Sequence, residues 1–148
     1  MSAIHVRPGE GQHYPMIDGD HIAKAAVKDA FGTFEVFEVV APAAPMPPPH
    51  VSPWTGVLFL LEGRITALVD GTSYDVEPGG VVVFPAGTPS TFEVVGQSAR
   101  FVAITSGDGA GRFFDDFANS VPASHPVEDS MATILSVTTR HGVALGGE

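Results

Sequence analysis

The chain has 148 residues, 44% of them hydrophobic and 16% charged, with seven basic and seventeen acidic side chains and a net charge of -10. This balance is typical of a folded protein with one hydrophobic core and argues against extensive disorder. The excess of acid also argues against nucleic acid or an anionic membrane surface as a partner. Because the chain has no cysteine, disulfides and thiolate metal ligands are excluded.

Neither export nor membrane insertion is indicated by the sequence. No apolar run approaches the roughly 20 residues needed to cross a bilayer. The N-terminal stretch MSAIHVRPGEGQ lacks the basic-then-apolar order of a signal peptide. We therefore expect a cytoplasmic protein.

Short runs rich in Val, Ile, Phe and Thr, separated by Gly, Pro and Asp, predict an all-β protein. The first strands are predicted at 21–27 and 31–41. The second of these carries apolar residues on both alternating faces, for example Val36 and Val40 on one face and Phe37 and Val39 on the other. Both faces should then be covered, by a second sheet or by a second subunit, and we predict a homodimer.

A proline-rich segment, residues 41–50, follows these strands. It holds five of the thirteen prolines and ends at His50. Proline fixes φ and cannot donate to a sheet ladder, so this segment is predicted to be a stiff, extended lead-in that delivers His50 to a defined place.

Two hairpins are predicted next, one around Glu62-Gly63 and one at Asp70-Gly71, which has the residue preferences of a type I′ turn. Further strands are expected at 81–84, 90–95 and 99–106. Short strands at such regular spacing favour a small jelly-roll β-barrel.

Helices are expected only near the C-terminus, so the fold is a barrel with one or two short C-terminal helices. Residues 109–120 place Phe113, Phe114 and Phe117 on one helical face, and a second helix is indicated between the acids at 128–129 and Gly142. We expect one domain over 1–148, with the barrel at about 15–106 and the helical tail at about 109–145.

The segments 50–63 and 80–94 resemble the two consecutive motifs of the cupin superfamily. The resemblance is carried by Gly63 in the first motif and by GGVVVFPAGTPS in the second, with Pro85 and Gly87 at the family spacing. The wider chain is similar to small single-domain cupins related to quercetin 2,3-dioxygenase in its PPPH entry, its LEG and DG turns and its C-terminal tail. The resemblance covers residues 15–145 and implies a jelly roll.

The metal-binding residues that this resemblance would imply are largely replaced. His50 falls on the first histidine of the family, but Ser52 falls on the second, Gly56 on the glutamate and Ser90 on the third histidine, and Val94 replaces the motif's asparagine. One imidazole and two neutral hydroxyls make a poor site for a divalent ion. We therefore predict a degenerate motif with no metal ligand set and no cofactor. His13, His21 and Glu93 are the candidates for a relocated site.

What the resemblance leaves is a cavity inside the barrel. If the motif positions keep the inward direction of the family, strand alternation adds further residues to the wall. The predicted ligand-binding residues are His50, Ser52, Trp54, Leu58, Leu60, Ser90 and Phe92. His50 is also the candidate acid or base, and a vestigial histidine is the alternative. Trp54 either stacks on a ligand or anchors the proline-rich lead-in.

Three functions follow from this interpretation. The first is a metal-independent cupin that binds a small, largely apolar molecule (aromatic, flavonoid- or polyketide-like), with His50 serving a cofactorless cyclisation or isomerisation. The second is a non-catalytic sensor or carrier. The third is a metal-dependent dioxygenase with relocated ligands; if the protein is an enzyme, we favour the cofactorless cyclase or isomerase over a quercetinase-type dioxygenase.

Overall fold

A computed structural model describes residues 2–146 and contains nine strands, two α-helices and one short 3-10 helix at Val127–Ser130. The strands are β1 (Gln12–Met16), β2 (Gly19–Asp29), β3 (Gly32–Pro42), β4 (His50–Val51), β5 (Gly56–Val69), β6 (Thr72–Val76), β7 (Val81–Phe84), β8 (Ser90–Ser106) and β9 (Ala144–Leu145). The helices are α1 (Gly109–Ser120) and α2 (Met131–Arg140). The fold is the predicted curled, mostly β jelly roll with two short C-terminal helices.

Two long strands, β5 and β8, run through both layers of the jelly roll. Residues 56–60 of β5 pair with residues 101–105 of β8 and with β7, and β8 continues on its other side to β3, β2 and β1. We call this the wide layer. Residues 64–69 of β5 pair with residues 90–95 of β8 and with β6, while β4 and β9 join beyond β8. We call this the narrow layer.

The hairpin predicted at Glu62-Gly63 is wrong, because β5 continues through it as one bent strand. The register between β5 and β8 shifts on either side of Glu62, where the strands pass from one layer to the other. Gly63 has φ +90°, and a Cβ built on it would lie 2.5 Å from the Ser98 carbonyl oxygen. Glycine here permits a close crossing and a bend within a strand. The predicted strands at 90–95 and 99–106 are likewise halves of one strand, which bends beside Gly96 at φ +97°.

The hairpin predicted at Asp70-Gly71 is confirmed. Val69 pairs with Thr72 across the turn. Asp70 and Gly71 have φ values of 49° and 80°, so both central residues adopt the positive φ that a type I′ turn requires.

The hydrophobic core lies between the two layers. Phe37, Val39 and Leu60 from the wide layer meet Ile65 and Ala67 from the narrow layer, and each is at most 1% exposed. Strand alternation explains this arrangement, since every second residue of these strands points inward.

The helix predicted over 109–120 is confirmed with the same bounds. Phe113 and Phe117 are buried against Ile134 and Val137 of α2 in a second apolar cluster. Asp116 joins the helices, accepting hydrogen bonds from the Arg140 guanidinium at 3.0 Å and pairing with His141 Nε2 at 2.8 Å. Across residues 2–146, neither helix is long and apolar enough to cross a membrane.

Candidate functional site

A cavity of about 110 Å³ opens at one end of the jelly roll, between the two layers. Its wall combines aromatic side chains with hydroxyl groups and one imidazole. The lining residues are His50, Ser52, Trp54, Gly56, Phe84, Pro85, Thr88, Ser90, Thr91 and Phe92. The structure therefore brings together His50, Ser52, Trp54, Ser90 and Phe92 from the sequence-predicted set.

His50 is held in place by the proline-rich segment before it and by β-pairing on both sides. The Thr91 hydroxyl donates a 2.9 Å hydrogen bond to the Pro47 carbonyl, which fixes the segment against β8. His50 then pairs with Ser90 on one side and with Leu145 on the other. The local sequence explains this geometry, since prolines keep the approach extended and leave few backbone donors to satisfy.

The His50 ring meets an apolar environment. Burial lowers the pKa of His50 below its usual range, and the charge of Asp18 opposes this only in part. Within residues 2–146, the histidine rings that form hydrogen bonds are those of His13, His21 and His141. The imidazole of His50 is therefore neutral near pH 7 and has its donor and its acceptor available to a cavity ligand.

The two serines that line the cavity differ in exposure and in hydrogen bonding. Ser90 is 5% exposed, and its hydroxyl donates to the Thr88 carbonyl at 3.1 Å rather than to the imidazole. Ser52 is half-buried, and its backbone carbonyl accepts a hydrogen bond from Gly87 at 2.9 Å, which ties the two motif segments together. A Ser–His nucleophile needs the serine to donate to the histidine, and this arrangement does not provide that contact.

Trp54 packs against helix α1 and also lines the cavity, whereas its stacking on a ligand stays a prediction. Its ring lies 5.7 Å from that of Phe113 and packs against both hydrophobic clusters, so it anchors α1 to the barrel. The same side chain also lines the cavity. A ligand that enters the cavity would therefore contact the only tryptophan of the chain.

Gly56 leaves open space where the family's glutamate would stand. A Cβ built on Gly56 meets no atom within 4 Å, and Gly56 is not among the glycines with positive φ. The polar side chains around this space are one imidazole, from His50, and the neutral hydroxyls of Ser52, Thr88, Ser90 and Thr91. A divalent transition metal needs three or four imidazole, carboxylate or thiolate ligands. The residues present therefore do not fit the metal that the fold family implies.

The side chains considered for a relocated metal site lie apart. His13 is on the surface and pairs with Asp20 at 2.6 Å, whereas His21 is buried with its ring 4.5 Å from that of Phe114. Glu93 pairs in register with Thr66 in the narrow layer. In the part of the chain that the structure describes, no three His, Asp or Glu side chains converge as a metal-binding group.

Leu58 and Leu60 point inward as alternation requires, but they lie in the packed core rather than on the cavity wall. They are 2% and 0% exposed. Conversely, five lining residues were not predicted: Gly56, Phe84, Pro85, Thr88 and Thr91. All five lie in the two cupin-like segments 50–63 and 80–94, which were the signal that could have pointed to them.

Comparison with known proteins agrees with this geometry. Residues 36–105 match the family described as "Cupin domain". This match spans 70 of the 148 residues, the part of the chain that holds most of β3 to β8. Among curated proteins, no sequence relative was detected.

Several solved structures share the fold of this chain. The polyketide cyclase RemF from Streptomyces resistomycificus is 21% identical with a TM-score of 0.59, over 72% of this chain and 81% of that one. KdgF from Halomonas sp. is 12% identical with a TM-score of 0.62, over 73% and 96% of the two chains. PAC13 from Streptomyces, solved with uridine, is 11% identical with a TM-score of 0.57, over 72% and 83%. The resemblance to cupins is confirmed, while the quercetin 2,3-dioxygenase-like subtype stays a prediction.

Proposed function

We propose that this cupin binds a small, largely apolar molecule in the barrel cavity and that His50 acts on it as a metal-independent acid or base. The observation that carries the proposal is the half-buried imidazole of His50 on the wall of an aromatic-lined cavity, with no hydrogen-bond partner among residues 2–146. Concave, mostly apolar sites with a few polar groups are the usual form of small-molecule sites.

The size of the cavity limits what can enter it. An engineered protein cavity of about 150 Å³ holds benzene, so the 110 Å³ found here suits one ring or a short aliphatic group. A flavonoid- or polyketide-like molecule would place one terminal ring inside and leave the remainder at the mouth, near Trp54. The polyketide cyclase activity of RemF is compatible with this class of ligand.

The chemistry available to a neutral His50 is proton transfer. The unprotonated ring nitrogen accepts a proton from a carbon next to a ligand carbonyl, and the C–H electron pair becomes the enolate. The imidazolium then returns the proton to a different ligand atom, which completes an isomerisation or allows a ring closure. Exclusion of water by the aromatic wall keeps the enolate from competing reactions.

The second candidate is a sensor or carrier without catalysis. The partial burial of His50 favours this candidate too, because an imidazole without a protein partner can hydrogen-bond to a ligand phenol or carbonyl. The two candidates differ in what His50 does, and one experiment separates them.

The experiment screens monocyclic phenols, enones and aromatic ketones against the protein, with Trp54 fluorescence and ligand-observed NMR as readouts. Gly56→Leu should fill the cavity and abolish binding, because its side chain would enter open space. Ser73→Leu, on exposed β6, is the matched control and should leave binding unchanged.

With a ligand in hand, His50→Ala tests the reaction. Loss of turnover with affinity changed less than about tenfold supports proton transfer by His50. Loss of affinity without any turnover in the wild-type protein supports the carrier. Ligand binding that survives Gly56→Leu would contradict the site itself.

A further inference from the structure

Thr105 is the neighbour of Gly56 in the wide layer. The two residues stand opposite each other in the pairing of β5 and β8, and the Cβ positions of such a pair lie about 5 Å apart. Alternation along β8 places Thr105 on the inner face together with buried Phe101, whereas Ile104 points outward. Thr105 is 4% exposed and therefore lies directly behind the part of the cavity wall that Gly56 forms.

The hydroxyl of Thr105 is the one buried side-chain hydroxyl that has no hydrogen-bond partner among residues 2–146. Its neighbour on β3 is Glu35, whose carboxylate is turned to α1 and accepts a hydrogen bond from the Gly111 amide at 3.0 Å. Burying a hydroxyl without a partner is unfavourable, and a valine of nearly the same shape would avoid this cost. A ligand acceptor beside Gly56 would give threonine a purpose at this position.

The other hydroxyls around the cavity are in a different situation. Those of Ser90 and Thr91 already donate to main-chain carbonyls. Those of Ser52 and Thr88 belong to half-buried residues that solvent can reach. Of these hydroxyls, that of Thr105 therefore gains most from an acceptor on a ligand, because it is buried and has no protein partner to give up.

The open space at Gly56 gives a ligand access to this hydroxyl. A Cβ built on Gly56 meets no atom within 4 Å, so a small carbonyl group fits there. Rotation about χ1 of Thr105 exchanges its methyl and hydroxyl groups between staggered positions and would bring the hydroxyl to a carbonyl oxygen in that space. His50 lines the same cavity from the narrow layer. A ligand between the layers would then meet a base on one side and a hydroxyl donor on the other.

We propose that the Thr105 hydroxyl binds the carbonyl oxygen of the ligand and so selects carbonyl compounds over hydrocarbons of the same shape. This inference rests on the ligand site proposed above. When His50 takes the proton from the carbon next to that carbonyl, the C–H electron pair forms the enolate, and the enolate oxygen accepts a stronger hydrogen bond from Thr105. The donor then contributes to binding and, to a greater extent, to proton abstraction.

The test compares acetophenone with cumene, which has nearly the same shape and lacks the oxygen. Ligand-observed NMR gives both affinities, and exchange of the acetophenone methyl protons in deuterium oxide gives the rate of proton abstraction. Thr105→Val should lower the affinity for acetophenone at least about threefold, leave that for cumene unchanged and lower the exchange rate by a larger factor. Thr105→Ser keeps the hydroxyl and should restore the affinity that Thr105→Val loses. Thr66→Val, on the outer face of the narrow layer, is the matched control and should change neither affinity.

Urea unfolding without a ligand separates this role from a structural one. Thr105→Val should unfold at the wild-type urea concentration or above it, because it removes a hydroxyl that has no partner among residues 2–146. Thr91→Val, at a similarly buried threonine that donates to the Pro47 carbonyl at 2.9 Å, should unfold at a lower concentration. A loss of stability in Thr105→Val as large as that in Thr91→Val would show that the hydroxyl already has a partner, and would overturn the proposal.

The binding results can overturn it as well. Equal losses of affinity for the two probes in Thr105→Val would mean that Thr105 contributes only shape, and no loss for either would mean that the ligand oxygen does not meet it. Binding of cumene alone would contradict selection of a carbonyl. Failure of both probes to bind the wild-type protein, or binding that survives Gly56→Leu, would instead contradict the proposed site itself. Binding of acetophenone without proton exchange would identify the carrier, and the affinities would still decide the role of Thr105.

Discussion

His50 and Ser90 stand opposite each other across the antiparallel pair of β4 and β8, yet their side chains do not hydrogen-bond to each other. The Ser90 hydroxyl turns to the Thr88 carbonyl at 3.1 Å, so no serine orients the imidazole. The properties of His50 are therefore set by burial rather than by a polar partner.

One NMR titration should show the pKa values of two histidines shifted to opposite sides of the usual value. His50 should titrate below the usual 6.5, because burial disfavours its charged form. His13 should titrate above it, because it hydrogen-bonds to the Asp20 carboxylate and to the Gly9 carbonyl. Ser90→Ala should leave the pKa of His50 unchanged, and a clear shift in that variant would show that a Ser–His contact forms in solution.

The lowered pKa of His50 also predicts how the free energy of unfolding changes with pH. Since the pKa of His50 is lower in the folded state, the unfolded chain binds the proton first, and the free energy of unfolding falls as the pH drops below about 6.5. His50→Gln should reduce that decline in urea unfolding measured between pH 7 and pH 5. His13 acts in the opposite sense, because its raised pKa adds stability that is lost as the pH rises.

The empty space at Gly56 should allow a metal site to be rebuilt. Ser52→His with Gly56→Glu would add an imidazole and a carboxylate to His50, a His₂Glu set that suits zinc. We expect one zinc per chain after dialysis, measured by plasma mass spectrometry, where the wild-type protein retains only trace amounts.

The control for this variant adds His50→Ala, which should lower zinc retention by at least about tenfold. A double variant with an unchanged melting curve and no retained zinc would show that these three side chains do not converge on the cavity.

The glycines at the strand bends should differ in their tolerance of alanine. Both Gly63 and Gly96 have positive φ, which costs an alanine about 1–2 kcal/mol. Gly63→Ala also places its Cβ 2.5 Å from the Ser98 carbonyl oxygen, whereas Gly96→Ala meets nothing within 4 Å. Gly63→Ala should therefore unfold at a clearly lower urea concentration than Gly96→Ala. Equal midpoints would mean that the crossing relaxes at little cost.

Much of the fold could be predicted because the relevant signals are local. Asp70-Gly71 specifies its own turn, and the phenylalanines of α1 specify the buried face of a helix with the bounds expected. Gly63 could not be interpreted in this way, since a glycine between two apolar runs is compatible with either a turn or a bend. The choice depends on Ser98, which is distant in sequence.

The candidate site was predictable in part for a related reason. His50, Ser52 and Ser90 were found through motif positions, whereas the burial that lowers the pKa of His50 arises only when distant segments of the chain meet around the cavity. Strand alternation predicted that Leu58 and Leu60 point inward. It could not predict that they lie in the packed core, because that depends on how far the cavity extends into the barrel.

The passage of β5 and β8 through both layers also decides how a ligand can enter. Those strands are locked to each other along almost their whole length, so the layers cannot part near Gly56 and Phe92 without breaking the sheet. The opposite wall is the strap formed by residues 43–55, which is paired through the two residues of β4 and tied to β8 by Thr91. Because the cavity already opens at one end of the jelly roll, we expect a ligand to enter there, with the strap and the barrel acting together as a rigid frame.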